Sequence, residues 1–216
     1  MNIRTLTLFF ALLSATAPAF AELDADILSV QHQWAEAKYN TAEADQKQAM
    51  DQVVIAGRAL VDAYPDRAEP KIWLAIALST DAGINGGLGA LGEVKEARKL
   101  LESAEKIDPT ALDGSIYTSL GSLYYQVPGW PIGFGNDKKA AAYLQKALAI
   151  NPEGIDPNFF YGDFLLDQED YEQAVVYLVK AGEAPDRPER PLADAGRRAE
   201  IDVKLAQARG QLQARR

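Results

Sequence analysis

The segment Ala140-Ala141-Ala142-Tyr143-Leu144-Gln145-Lys146-Ala147-Leu148-Ala149-Ile150-Asn151-Pro152 decides the fold. Within it, Ala140-x3-Leu144-x2-Ala147 sets small and large apolar residues three and four positions apart, which places them on one face of a helix. Pro152 then ends that helix, because proline has no amide hydrogen to donate and its ring clashes with the preceding turn. The same series stands at Ala97-x3-Leu101-x2-Ala104-x4-Pro109 and, one residue shorter, at Ala174-x3-Leu178-x2-Ala181-x3-Pro185. A helix that recurs together with its stop signal reads as the second half of a repeated helical hairpin.

The first halves stand upstream, at Trp73-x3-Ala77, Leu120-Gly121-x2-Tyr124 and Tyr161-Gly162-x2-Leu165. A bulky residue beside a small one lets two helices approach closely. This arrangement resembles the tetratricopeptide repeat, whose first helix carries a large and a small residue and whose second carries the alanine, aromatic, alanine and proline series, over about 34 residues. The resemblance implies an all-α, right-handed superhelix of stacked antiparallel helix pairs.

Only one repeat has the ordinary length. Pro152 and Pro185 are 33 residues apart, whereas Pro65, Pro109 and Pro152 are separated by 44 and 43. The surplus falls at the turn between the two helices, since Gly121 to Ala140 spans 19 positions and Gly162 to Ala174 only 12. Asp81–Gly92 and Val127–Asn136 are therefore expected to be inserted loops, placed side by side because stacking brings equivalent turns to one edge. A less regular pair, roughly Asp24 to Lys38 and Ala44 to Ala63, precedes them. After Pro185, Pro188 and Pro191, the stretch Leu192 to Leu212 reads as one long polar helix that caps the stack.

The Val127–Asn136 segment carries two prolines and three glycines, which forbid a helix, yet holds Trp130 and Phe134. Large aromatics in a loop either cover the end of the helix stack or line a site for a ligand or partner. Asn136 and Asp137 suit the N-cap of the next helix. Gly87-x-Gly89-x2-Gly92 matches a dinucleotide fingerprint by letters, but that motif needs a strand before its turn, and Trp73 to Leu78 reads helical.

At the N-terminus, Arg4, the apolar run Leu6 to Ala15 and Ala19-Phe20-Ala21 have the form of a secretory signal peptide. Residues 1–21 are assigned to it and 22–216 to the repeat domain, so the protein is expected in the periplasm. No later stretch is long and apolar enough for a membrane span. The remaining chain has 21 basic and 31 acidic residues, a balance that argues against nucleic acid. With no cysteine, neither disulfides nor thiolate chemistry nor lipid attachment is available. The one histidine, His32, sits in a sequence that reads as a solvated helix face, and no serine triad is present. Asp163, Asp167, Glu169, Asp170 and Glu172 cluster around the turn expected at Gln168, where acids serve capping and solvation. These readings leave no metal or cofactor to assign and favour a binding protein over an enzyme, the remaining catalytic alternative being a hydrolase with paired carboxylates.

Gly133 to Leu165, from Gly-Phe-Gly-Asn-Asp-Lys-Lys-Ala through Asn158-Phe159-Phe160-Tyr161-Gly162-Asp163-Phe164-Leu165, is also similar to the T-component proteins of tripartite ATP-independent periplasmic (TRAP) transporters. That likeness implies a helical-repeat periplasmic protein acting beside a solute-binding component, with a channel for apolar or amphipathic ligands. The leading expectation is a protein or peptide partner bound along the groove of first helices; the alternative is a small apolar or amphipathic ligand. The candidate binding residues are Trp73, Asn85, Tyr124, Tyr125, Trp130, Phe134, Asn158, Tyr161 and Asp163.

Overall fold

The computed structural model describes residues 17–215, all helix and connections with no strand among them. The signal peptide expected over residues 1–21 therefore lies largely outside the described residues. Four antiparallel pairs follow one another: α1 (Ala17–Ala35) with α2 (Glu43–Ala63), α3 (Ala68–Asn85) with α4 (Gly87–Ile107), α5 (Ala111–Gln126) with α6 (Asp137–Ile150), and α7 (Ile155–Asp167) with α8 (Tyr171–Gly182). A last helix, α9 (Pro191–Ala214), packs on α8. α1 runs on into a π-helical turn, Glu36–Asn40. This is the all-helical superhelix of the tetratricopeptide kind that the resemblance implies.

The repeated residues are its interior. Ala97, Leu101, Ala104, Ala140, Leu144, Ala147, Ala174, Leu178 and Ala181 all have no exposed surface. Their partners are the small residues of the first helices. A Cβ on Gly121 would lie 2.5 Å from Leu144 Cγ, and one on Gly162 would lie 2.8 Å from Leu178 Cγ. Glycine at these two positions thus sets how closely paired helices approach, and the leucines fill the remaining space.

The expected loop at Asp81–Gly92 is instead helix. α3 continues to Asn85 and α4 starts at Gly87, with Gly86 alone between them in a left-handed conformation (φ +60°) that favours glycine. The inserted residues lengthen both helices, to 18 and 21 residues against 13 and 12 for α7 and α8. Helix wins over the glycines because Leu91 and Val94 of the added turns pack on the core, and burial outweighs the modest propensity cost of exposed Gly89 and Gly92. The second insertion is a loop, Val127–Asn136, held by amides of Gly135 and Asn136 donating to the carbonyls of Pro128 and Tyr124. Asn136 caps α6 as expected, accepting from the Lys139 amide at 3.0 Å. The loop reaches α4 at Arg98, whose guanidinium lies over the Phe134 ring, 4.3 Å from its centroid.

α9 does more than cap. The first helices touch in succession, α1 to α3 to α5 to α7; α7 then touches α9, and α9 touches α1 and its π-helical turn. The five odd-numbered helices therefore close a ring. Gly196 is the tightest point of closure, where the ring of Tyr39 occupies the place a side chain would need.

Gly92→Ala, in open space inside an added turn, is expected to raise stability by about 0.5–1 kcal/mol. Gly162→Val is expected to lower it by about 1–3 kcal/mol through overpacking. Urea unfolding followed by circular dichroism reads both, and no gain from the first would place Gly92 outside a helix.

Candidate functional site

Closing the ring leaves a chamber of about 930 Å³ on its inner side. Its walls follow from what each helix turns inward. α1, its π-helical turn and α3 supply Trp34, Tyr39 and Trp73; α5 supplies a strip of small hydroxyl residues, Ser115, Thr118, Ser119 and Ser122. α7 supplies Phe159 and Phe160, and the fourth wall, from α9 and the proline turn before it, is cationic, with Arg187, Arg190, Arg197 and Lys204.

These cations are mostly neutralised within the wall. Asp156, in the first turn of α7, accepts from Arg187 Nη1 at 2.8 Å and Arg197 Nε at 2.9 Å. Arg197, 7% exposed, also reaches Glu200 at 2.5 Å. Glu200 accepts in turn from Lys38 at 2.8 Å and the Tyr39 hydroxyl at 3.3 Å. Arg187 pairs a second time, with buried Asp194, and Lys204 pairs with Asp163 at 2.7 Å. The Arg197 guanidinium also lies over both phenyl rings, 4.4 Å from Phe159 and 4.8 Å from Phe160.

Burial alone would raise the Asp156 pKa, but Arg197 and Arg187 outweigh it and hold the carboxyl below the usual range. Glu200 behaves alike, lowered by Arg197 and Lys38 against its own desolvation. Burial, followed by the Arg197 charge, presses the Lys38 pKa down, with Glu200 opposing.

Of the nine residues singled out from sequence, Trp73 and Asp163 line this chamber. Tyr125 stands behind it, donating its hydroxyl to Asp163 at 2.7 Å, and burial pushes its pKa well up. The others lie elsewhere. Tyr124 is buried between repeats, stacked on Tyr143 at 5.6 Å, with the Phe134 ring against its edge and Arg98 over Phe134. Tyr161 meets Tyr177 edge-on at 4.6 Å. Asn158 donates to the carbonyls of Pro152 and Gly154 and so closes the α6–α7 turn. Asn85 accepts from Lys47 and donates to Asp81 at the end of α3. Phe134 thus covers the stack, whereas Trp130 does not: it is 90% exposed at the loop tip, beside exposed Ile132. His32 is exposed, and Asp170 caps α8 through the Gln173 amide.

The residues of α9 escape a reading from sequence because their charges suggest a solvated surface. The spacing Asp194, Arg197, Ile201, Ala208 marks one helix face, and all four are buried. Gly196 beside that face is the same small-residue signal that identifies the first helices.

Among proteins of known structure, the chain is similar to a thermophilic tetratricopeptide-repeat protein of Thermus thermophilus, with TM-score 0.57 and 17% identity over 91% of this chain and 95% of the other. This likeness shows the fold. A stretch of 114 residues, 51% of the chain, is 32% identical to a tetratricopeptide repeat and J domain-containing co-chaperone of Mycosarcoma maydis. The chain spans 18% of that relative's length. No family model matches it.

Asp156→Asn leaves the buried Arg197 short of a counter-charge and is expected to cost about 3 kcal/mol at pH 7. Since the folded pKa of Asp156 lies below the unfolded one, its contribution is present above about pH 4 and is lost as pH falls further. Denaturant unfolding at pH 7 and pH 3 should therefore show the gap between variant and wild type narrowing in acid.

Proposed function

We propose that this chain is a non-catalytic, periplasmic binding adaptor that takes a short segment of a partner protein into the chamber between its first helices and α9. The observation that carries this reading is the chamber itself, built on the inner face of a helical-repeat fold and lined by aromatic rings with a few polar anchors. Such a lining suits a site that gains affinity from apolar burial and orientation from polar groups. Helical-repeat solenoids use their concave surfaces in this way, and the co-chaperone matched over half the chain supports a partner of protein nature. Trp130, Pro131 and Ile132 project from the outer edge as a second contact, of the aromatic type that anchors interfaces. Export rests on the form of residues 1–21. Intact mass of the protein recovered from the periplasm should place its first residue at Glu22.

A second reading is favoured by the roof that α9 lays over the groove. The space beneath it, about 930 Å³, falls within the range of about 300–1,000 Å³ typical of small-molecule sites. On this reading the occupant is a small amphipathic molecule, and the likeness of Gly133–Leu165 to TRAP T-components supports an accessory role in transport.

Ser119→Phe fills the chamber from a half-exposed position without entering the core. Capture of the periplasmic partner is expected to fall at least tenfold in this variant with unchanged melting, and several-fold in Trp130→Ala. Full capture by Ser119→Phe would overturn the chamber as the site. Native mass spectrometry of the purified protein separates the readings: a bound mass of a few hundred daltons, absent from Ser119→Phe, selects the small ligand.

A further inference from the structure

We infer that Arg190 and Trp73 form an anion subsite in the chamber wall, and that the occupant presents a carboxylate to it ahead of an apolar body. The inference rests on reading the chamber as the binding site and names the chemistry of what it holds.

The argument begins with charge. Five cations line the chamber: Lys38, Arg187, Arg190, Arg197 and Lys204. Four of them have a carboxylate partner within 2.9 Å, drawn from Asp156, Asp163, Asp194 and Glu200. Arg190 has none among the described residues, and its guanidinium stacks instead over Trp73, 5.1 Å from the ring centroid. Four acids against five cations leave one positive charge in a wall otherwise balanced.

Hydrogen bonding points to the same place. Two residues of the chamber wall carry a buried polar atom without a partner among the described residues, and these are Arg190 at Nε and Trp73 at Nε1. Both atoms are donors. Trp73 is 3% exposed, so its indole N–H has given up water with nothing in return, the costly state for a buried donor. Trp34, the neighbouring indole at 6.0 Å, shows the ordinary solution: its Nε1 donates to Thr80 Oγ1 at 2.9 Å.

A group that answers the orphan donors of two stacked side chains and one unbalanced cation accepts hydrogen bonds only and carries a single negative charge. A carboxylate meets both conditions, and guanidinium and carboxylate match in geometry. A dianion would face the carboxylates of Asp156, Asp163 and Glu200 across the chamber. The remaining walls near Trp73, namely Trp34, Ile76 and Leu192, and the phenyl pair of α7, call for an apolar body behind the acid. A peptide C-terminus and a free amphipathic acid share this chemistry.

Calorimetric titration of the full-length mature protein tests the inference with two probe pairs: decanoate against methyl decanoate, and an acetylated Leu-Phe-Leu-Phe peptide with a free against an amidated C-terminus. The acid of at least one pair is expected to bind tenfold or more tightly than its neutral counterpart. Arg190→Gln should erase that preference while leaving the neutral probe's affinity unchanged. Trp73→Phe, which keeps the ring and removes the donor, should weaken acid binding several-fold; if it disturbs folding, Arg190→Gln alone decides. The pair that shows the preference identifies the source of the carboxylate. Equal binding of acid and neutral probes, unaffected by Arg190→Gln, would overturn the subsite and leave the chamber reading standing. Absence of binding by all four probes would overturn both.

Discussion

Arg197 cannot be understood apart from its neighbours. A guanidinium with 7% of its side chain exposed costs several kcal/mol to desolvate, and only excellent pairing compensates. Here the pairing comes from two directions, Asp156 on α7 and Glu200 one turn along α9, and Glu200 passes the connection to Lys38 and Tyr39 beyond α1. The ion network thereby fixes α9 against both ends of the first-helix series. Such networks specify arrangement more than they add stability, since each charge is stable only where all its partners are in place.

That arrangement changes what the helical repeats can do. An open superhelix offers a groove, in which affinity depends on contacts along an extended partner. A closed ring offers a central space whose walls come from five helices, so that each wall can contribute a different chemistry. Aromatic rings, serine hydroxyls and guanidinium groups meet around one space only because the C-terminal helix returns to the N-terminal one. The external tip at Trp130 lies outside this space and is held by half-buried Phe134, whose packing on Arg98 of α4 and Tyr124 of α5 leaves its tryptophan neighbour free to make a contact of its own.

The repeat is legible in sequence because its signal is a contact. Every Ala-Leu-Ala series marks a helix face that has to receive a small residue from its partner, and Gly121 and Gly162 stand where that contact demands them. The first insertion misleads because Gly86, Gly87, Gly89 and Gly92 count against a helix locally, while Leu91 and Val94, which decide the matter, act through packing that local propensity does not register. The site is harder still. Trp73 and Asp163 can be picked out as a large ring and an acid on first helices, but Arg197 and Lys204 belong to a helix that reads as a polar cap, and Arg187 and Arg190 to the proline-broken stretch before it, until the chain is known to turn back. The buried face of α9 is written in the spacing of Asp194, Arg197, Ile201 and Ala208, and charge at two of those positions hides it.

Ring closure is the claim on which the chamber and its chemistry rest, and the absence of cysteine makes it directly measurable. In the double variant Tyr39→Cys/Gly196→Cys, the new side chains replace a pair so close that the tyrosine ring fills the glycine's side-chain position. They fall within reach of a disulfide. Mild oxidation of the dilute protein is predicted to give a single intramolecular bond, read as a faster-migrating, thiol-sensitive band and a mass loss of two hydrogens. A variant that keeps both thiols free under these conditions would mean that α9 stands away from α1, and the chamber would be an open groove.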